Sequence, residues 1–467
     1  MAGSNLTAAR DWPCTTAITT ATAFFFGVLV GNSSLVSADT LLESLATAYS
    51  TNPGILAARA ELRAVDEQVP TALSNWRPTV QITGSAGKVG TNNKSVFFSS
   101  DENRTPRSAA AQLSQPIYRG GRTLAETKRA DHRVLSWRAR LKSTEQSVLL
   151  DAATAYMDVL RDMSVLDLSV KNESRLRRQL EAARDRFSVG EVTRTDVVQS
   201  EARVSNAVAD RVRAQGDLDS SRDTYIRVIG VPPVNLQWPD PLADLPQSKE
   251  DATNQALNNN PDVLSAIYDG SAAADDVDLV LGEFLPSVSL DGSLETASET
   301  SSVDSVSKRA EFMATLTVPI YQAGLVSARA REAKEISAQR QREIDDAKRL
   351  VVEDASRAWE DLESNRAQVA AFSDSVRANK VALEGVEQEA SVGLRTTLDV
   401  LDAEQELFEA EVDLVRARCN TAVAAFNLSA AVGTFNAVNL SLPVSIYDET
   451  EHYNDVRWKF WGGFFDD

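Results

Sequence analysis

Histidine and cysteine are almost missing from this chain of 467 residues, with two of each. His132 sits inside a long helical stretch and His452 in the tail, so neither a metal-spaced cluster nor a nucleophile–base pair can be built around them. His132 is expected to be a plain surface or packing residue. Gly120-Gly121 stands at a strand-to-helix bend, and two glycines alone do not make a phosphate-binding loop. No catalysis is expected, and no metal or other cofactor. Positive charge is in deficit, with 48 Lys and Arg against 67 Asp and Glu, a formal charge of −19 and a pI near 4.7. That balance argues against a nucleic-acid partner and fits either a solvated surface or a lumen that favours cations. Beyond the N-terminal region no run of about 18 apolar residues exists, so no transmembrane helix is expected. A β-barrel remains open as a way to span a membrane.

Residues 1–38 read as a secretory signal, with Arg10 before the apolar run Ala21 to Val30 and Val36-Ser37-Ala38 as the cleavage site before Asp39. Cys14 precedes the apolar run and is badly placed for lipid attachment. Cleavage would leave Cys419 alone, and therefore no intramolecular disulfide.

What the chain does contain is a duplication. Pro116-Ile117-Tyr118-Arg119-Gly120-Gly121 recurs as Pro319-Ile320-Tyr321-Gln322-Ala323-Gly324, an offset of 203 positions. The same offset relates Ser188-Val189-Gly190 to Ser391-Val392-Gly393, Asp196-Val197 to Asp399-Val400, and Gly230 to Gly433. Upstream, Asn52-Pro53 and Pro78 match Asn260-Pro261 and Pro286. Each half is expected to be one long helical unit with an extended hairpin inserted. The expected organisation is a first repeat at 39–233, a proline-rich linker at 234–250, a second repeat at 251–440 and a tail at 441–467.

Within each repeat the hydrophobic period switches. Leu41 to about Val69 is helical by spacing, with Pro53 as the first residue of a second helix. A period of two then sets in: Val80, Ile82 and Gly84 alternate with Thr79, Gln81 and Thr83, and Ala109, Ala111 and Leu113 with Ala110, Gln112 and Ser114. Val288, Leu290, Gly292 and Leu294, and then Phe312, Ala314, Leu316 and Val318, alternate in the same way. Hairpins are expected at about 79–116 and 287–319, with loops 87–107 and 295–311. The pattern suits a lipid-facing, water-lined barrel strand and equally an ordinary half-buried hairpin. Four strands cannot close a barrel within one chain, so several chains would have to share it.

After each Pro-Ile-Tyr-x-x-Gly the helical period returns. Arg122 to Phe187 holds no proline and no glycine, and those 66 positions would reach roughly 100 Å. Val148, Ala152, Ala155, Val159, Met163, Leu166 and Val170 stand at coiled-coil spacing. Each long helix stops at Ser-Val-Gly, and Thr193 and Thr396 open Thr-x-x-Asp, a signal for a returning helix. The tail from Ser441 is rich in aromatic and acidic residues. It is either a docking segment or, the option favoured on composition, a disordered end.

The duplicated Asn-Pro, the proline before each hairpin, Pro-Ile-Tyr-x-x-Gly and Ser-Val-Gly-x-x-Thr-x-x-Asp-Val together resemble the TolC-type outer-membrane channels over about residues 39–440. Ser391 to Ala403 is the stretch of strongest likeness. The resemblance implies a fold that is mainly α with a small β part. Duplicated coiled-coil repeats of a homotrimer would close a 12-stranded β-barrel, continued by a periplasmic α-helical barrel. It also implies a passive exit duct in the outer membrane for an efflux pump or type I secretion system, working with a periplasmic adaptor and an inner-membrane pump. A soluble periplasmic coiled-coil adaptor or scaffold is the alternative, which the alternating hairpins oppose.

The repeats differ at the tips. Asp402 corresponds to Gln199 and Arg395 to Val192, so the fold does not demand an acid or a base there. The resemblance implies that Asp399 and Asp402 form acidic rings at a periplasmic constriction, and that Arg395 ties to Thr195 and Asp196 as a latch. Asp196 and Asp399 could equally be plain helix caps. A tyrosine common in the family just before Ser-Val-Gly, where it contributes a gate hydrogen bond, is replaced by Ala390 here; its first-repeat equivalent is Phe187.

Overall fold

The computed structural model describes residues 40–97, 99–242 and 244–460. The expected signal at 1–38 and the last residues of the tail lie outside them. In chain order the elements are α1 (Leu41–Thr51), α2 (Pro53–Asp66), α3 (Gln68–Ser74), β1 (Thr79–Ala86), β2 (Val89–Lys94), β3 (Ser99–Arg104), β4 (Arg107–Arg119), α4 (Arg122–Ser188) and α5 (Arg194–Ile229). The second half follows with α6 (Lys249–Asn259), α7 (Pro261–Leu281), β5 (Ser287–Ser298), β6 (Val306–Thr317), α8 (Leu325–Ser391) and α9 (Thr397–Ala431), and α10 (Glu451–Val456) is the last element among the described residues.

The duplicated Asn-Pro acts identically in both halves. Asn52 caps α2 by accepting the Gly54 N–H at 2.8 Å, and its Nδ2 donates to Val228 O at the end of α5 at 2.9 Å. Asn260 accepts from the Asp262 N–H and donates to Ala431 O at the end of α9. One amide side chain thus starts a helix and fastens it to the foot of the returning one, while the proline at the first helical position gives up no needed donor.

α4 and α8 are 67 residues each, or roughly 100 Å. α4 packs along α5 and α7, and α8 along α7 and α9. The main core gathers Leu45, Ile55, Leu149, Ala152, Tyr156, Tyr225, Phe426 and Phe435. Ala152, Ala155 and Val159 of the coiled-coil row are buried, whereas Met163 and Val170 are exposed in the protomer.

β1, β4, β5 and β6 form one antiparallel sheet in the order β1-β4-β5-β6. Its register sorts the side chains cleanly. One face carries the row Val80, Leu113, Gly292 and Phe312 and the row Ile82, Ala111, Leu294 and Ala310; the other carries Gln81, Gln112, Ser293 and Glu311. Ser114 and Ser289 both donate to the Asp291 carboxylate on the polar face. The apolar face is uncovered, with Ile82 80 % and Phe312 73 % exposed.

Three expectations need correction. The loop expected at 295–311 shrinks to 299–305, because β5 runs on to Ser298 and β6 starts at Val306. Residues 87–107 are not a simple loop: β2 and β3 pair as a second antiparallel ribbon beyond β1 and β4. This segment shows no apolar alternation because neither ribbon face is buried. The tail as far as Phe460 is ordered, not disordered. Tyr447 N–H donates to the Tyr49 hydroxyl, with the Arg59 guanidinium over both rings. His452 reaches Asp66 at 3.1 Å, and Tyr453 and Arg457 each donate to Asp131 at 2.8 Å.

The strand-to-helix bend explains one difference between the repeats. Gly120 has φ +66°, and a Cβ there would lie 2.3 Å from the Gly282 carbonyl oxygen. Its equivalent is Ala323, which holds φ +50° with a side chain. Glycine at 120 is therefore required by the close approach of Gly282 more than by the dihedral. Gly120→Ala should cost roughly 2–3 kcal/mol. Gly121→Ala, which has positive φ but open space around it, should cost about 1 kcal/mol. Chemical denaturation of both variants in detergent checks this, and equal losses would sink the steric explanation.

Candidate functional site at the helical tips

Both tips are built the same way. After α4, Gly190 takes φ +82°, its N–H donates to Phe187 O, and the Glu191 N–H reaches back to Arg186 O. After α8, Gly393 takes φ +80°, with Gly393 N–H to Ala390 O and Leu394 N–H to Glu389 O. These paired bonds satisfy the last helical carbonyls, and only a left-handed residue can make them cheaply.

The chain re-enters helix through reciprocal caps. Thr193 Oγ1 accepts the Asp196 N–H while Asp196 Oδ2 accepts the Thr193 N–H at 2.8 Å. Thr396 and Asp399 repeat the arrangement with the same distances. The backbone N–H and hydroxyl of Thr396 hold the Asp399 carboxyl below its ordinary value. Both aspartates therefore serve as caps, whatever else they do.

Arg395 and Asp402 have no such role. Arg395 Nε donates to Glu389 at 2.9 Å, and among the described residues no hydrogen bond or ion pair joins it to Thr195 or Asp196. Asp402 on α9 pairs with Arg203 on α5. Arg203 is a residue that the sequence did not single out. The signal was available in the duplication, since its second-repeat equivalent is Glu406. Ala390 packs beside the Leu383, Val400 and Leu407 cluster between α8 and α9.

Just above lies a second acid that sequence patterning missed. Glu404 on α9 is 2 % exposed, although its first-repeat equivalent, Glu201, is exposed and bonded to Arg184. Glu404 Oε1 receives Gln179 Nε2 at a long 3.5 Å, and Oε2 has no hydrogen-bond partner. Burial pushes its carboxyl above the ordinary glutamate value, with Glu387 adding to the rise and Gln179, Arg175 and Arg178 opposing it. Farther up, Glu173 bridges Arg177 of its own helix and Arg211 of α5. His132 meets Asp275 of α7 at 2.6 Å, a packing contact between helices.

The sequence profile of the outer membrane efflux protein family matches residues 45–231 and 252–434, one span in each repeat. The chain belongs to that family. The outer membrane efflux protein BepC of Brucella suis biovar 1 is 36 % identical over 438 residues, covering 93 % of this chain and 94 % of BepC. TolC of Escherichia coli K12 is 26 % identical over 448 residues, covering 90 % and 89 %. In fold the chain is similar to the Campylobacter jejuni CmeC outer membrane channel, with a TM-score of 0.77 at 15 % identity over 90 % of this chain and 89 % of that one. Membership of the outer membrane efflux family settles three expectations: this is a TolC-type channel protein, it is not an enzyme, and it resides in the outer membrane with a long periplasmic extension.

Glu404 gives a testable pH dependence. Because burial raises its carboxyl, the folded state keeps the proton to a higher pH than the unfolded chain does. Its contribution therefore falls as pH rises from the ordinary glutamate value of 4.5 through the raised one. Glu404→Gln should match the parent in acid and be more stable by about 1–3 kcal/mol at neutral pH. Denaturation followed by circular dichroism across that window checks it. Parallel pH profiles would show that Glu404 finds a partner in the assembled protein.

Proposed function

We propose that three copies of this chain form a passive exit duct for an efflux pump or type I secretion system, joined to an inner-membrane pump by a periplasmic adaptor. The observation that carries this is the sheet. It presents an uncovered apolar face, a polar opposite face, and two outer strands, β1 and β6, each paired on one side only. Three such sheets joined edge to edge supply twelve strands, put the apolar face to lipid and the polar face to a water-filled lumen, and leave no edge. The two long helices of each copy, with their returning partners, continue the wall into the periplasm. Family membership and the likeness to BepC support efflux as the primary task. The exposed apolar residues of the tips, Val189, Val392 and Leu394, offer the adaptor a docking surface.

The gate is at these tips. Asp399 and Asp402 of three copies surround the axis, where six carboxylates would attract cations. Arg395 serves as a latch by reaching Thr195 and Asp196 of the neighbouring coiled coil, at the expense of its pair with Glu389. Arg203, by holding Asp402, fastens α9 to α5 within each copy and takes over part of the closure that a tyrosine at position 390 would provide.

Single-channel conductance in a planar bilayer tests both levels. The parent should pass a small, cation-selective current, and Asp399→Asn/Asp402→Asn should lose the selectivity. Arg203→Ala removes three partly exposed ion pairs, together about 0.6–3 kcal/mol. The closed-to-open ratio should then fall by roughly threefold to a hundredfold. A parent-like current from Arg203→Ala would remove that pair from the gate, and protein that makes no current would remove the duct.

A further inference from the structure

The described part of the tail reaches an unusual place. From Ser441 it runs as a strap whose successive contacts climb the helical body. Tyr447 lies at Tyr49 and Arg59, Glu449 at Lys142, His452 at Asp66, and Tyr453 and Arg457 at Asp131. Asp131 lies nine residues, about 14 Å, from the start of α4, the end that adjoins the sheet. Tyr453 seats the strap among Val65, Val69, Ala72, Ala130 and Val134. The last fastening among the described residues is Arg77, whose Nη1 donates to Lys459 O at 2.9 Å and whose guanidinium lies 4.1 Å from the Phe460 ring centroid. Arg77 is two residues before Thr79, the first residue of β1. The strap thus brings Lys459 and Phe460 to the line where helix gives way to strand.

There the strap turns its rings outward. Trp458 is 67 % and Phe460 68 % exposed, and Trp76, beside Arg77 in the chain, is half exposed. One side of Phe460 lies on Arg77 and one side of Trp458 near Arg457, while the rest of each ring is open; Tyr453 and Val456 of the same segment are tucked in. Tryptophan and phenylalanine beside fixed guanidinium groups match the chemistry of a bilayer boundary, where rings enter the acyl edge and cations meet phosphates. The exposed apolar face of β1 begins three residues beyond Arg77, at Val80.

We propose that Trp458 and Phe460, held at the Trp76-Arg77 junction by the C-terminal strap, form an interfacial anchor for the phospholipids of the periplasmic leaflet. The proposal rests on the sheet being lipid-facing, and the test separates the two. Bimane is placed at Trp458→Cys, at Phe460→Cys, at Ile82→Cys on the sheet's apolar face and at Val189→Cys on a tip, in the full chain with Cys14→Ala. Cys419 is buried and its thiol pushed up to about 12, so it stays unlabelled. Each protein is reconstituted into phosphatidylethanolamine–phosphatidylglycerol vesicles containing lipid with a nitroxide near the headgroup or deep in the acyl chain.

The anchor predicts that labels at 458 and 460 are quenched by the shallow nitroxide roughly twofold or more beyond the Val189 label, while the Ile82 label responds to the deep one. Quenching at 82 with tip-like behaviour at 458 and 460 overturns the anchor and leaves the barrel intact. Labels at 458 and 460 shielded from aqueous iodide but indifferent to either lipid would be covered by a neighbouring copy, which also overturns it. No quenching at Ile82 overturns both the anchor and the lipid-facing sheet.

Discussion

A backbone amide in hydrocarbon must find its partner within protein, because no water is there to replace it. β1 and β6 each have a row of such groups on the side away from their neighbour. That unmet demand governs the whole chain. In the proposed duct it would forbid a monomer in the membrane and require copies to meet strand to strand. The helices that follow each strand would then be drawn into one continuous wall. The duplication meets this demand economically, because each half contributes two strands and one long coiled coil.

The features legible in the sequence were those set by local chemistry. Asn52-Pro53 and Asn260-Pro261 start helices because a capping amide and a fixed φ are properties of adjacent residues. Thr193 to Asp196 and Thr396 to Asp399 announced their reciprocal caps for the same reason. The sheet faces followed from a period of two that no helix can imitate. What escaped was set by register between distant segments. Arg203 meets Asp402 because of how α5 lies against α9, and Glu404 is buried because α4 covers it. The strap was illegible for a like reason, since each of its partners is hundreds of residues away in the chain.

Comparing repeats is a way to separate scaffold from specialisation in such a chain. Where the halves agree, as at the glycine turns and threonine caps, the fold is sufficient reason. Where they diverge, a further cause has to be found. Gly120 against Ala323 resolves into a steric contact with Gly282. Glu404 against Glu201 resolves into burial on one side and solvent on the other. Arg395 against Val192 and Arg203 against Glu406 have no such packing explanation, and these positions cluster where the two coiled coils end.

The pairing of β4 with β5 sets the order in which the protein can form. Arg107 faces Ser298 and Arg119 faces Ser287, so this central ladder joins segments separated by the whole of α4, α5, α6 and α7. Closing so long a loop costs entropy that the ladder repays only once it is made, whereas the helices need only near neighbours. Helical hairpins that condense first would bring β4 and β5 together at one end, with β1 already attached through the β2–β3 ribbon and β6 through the short loop 299–305. The bundle would then act as its own assembly jig, and the four-stranded sheet would be the last part of each chain to take shape.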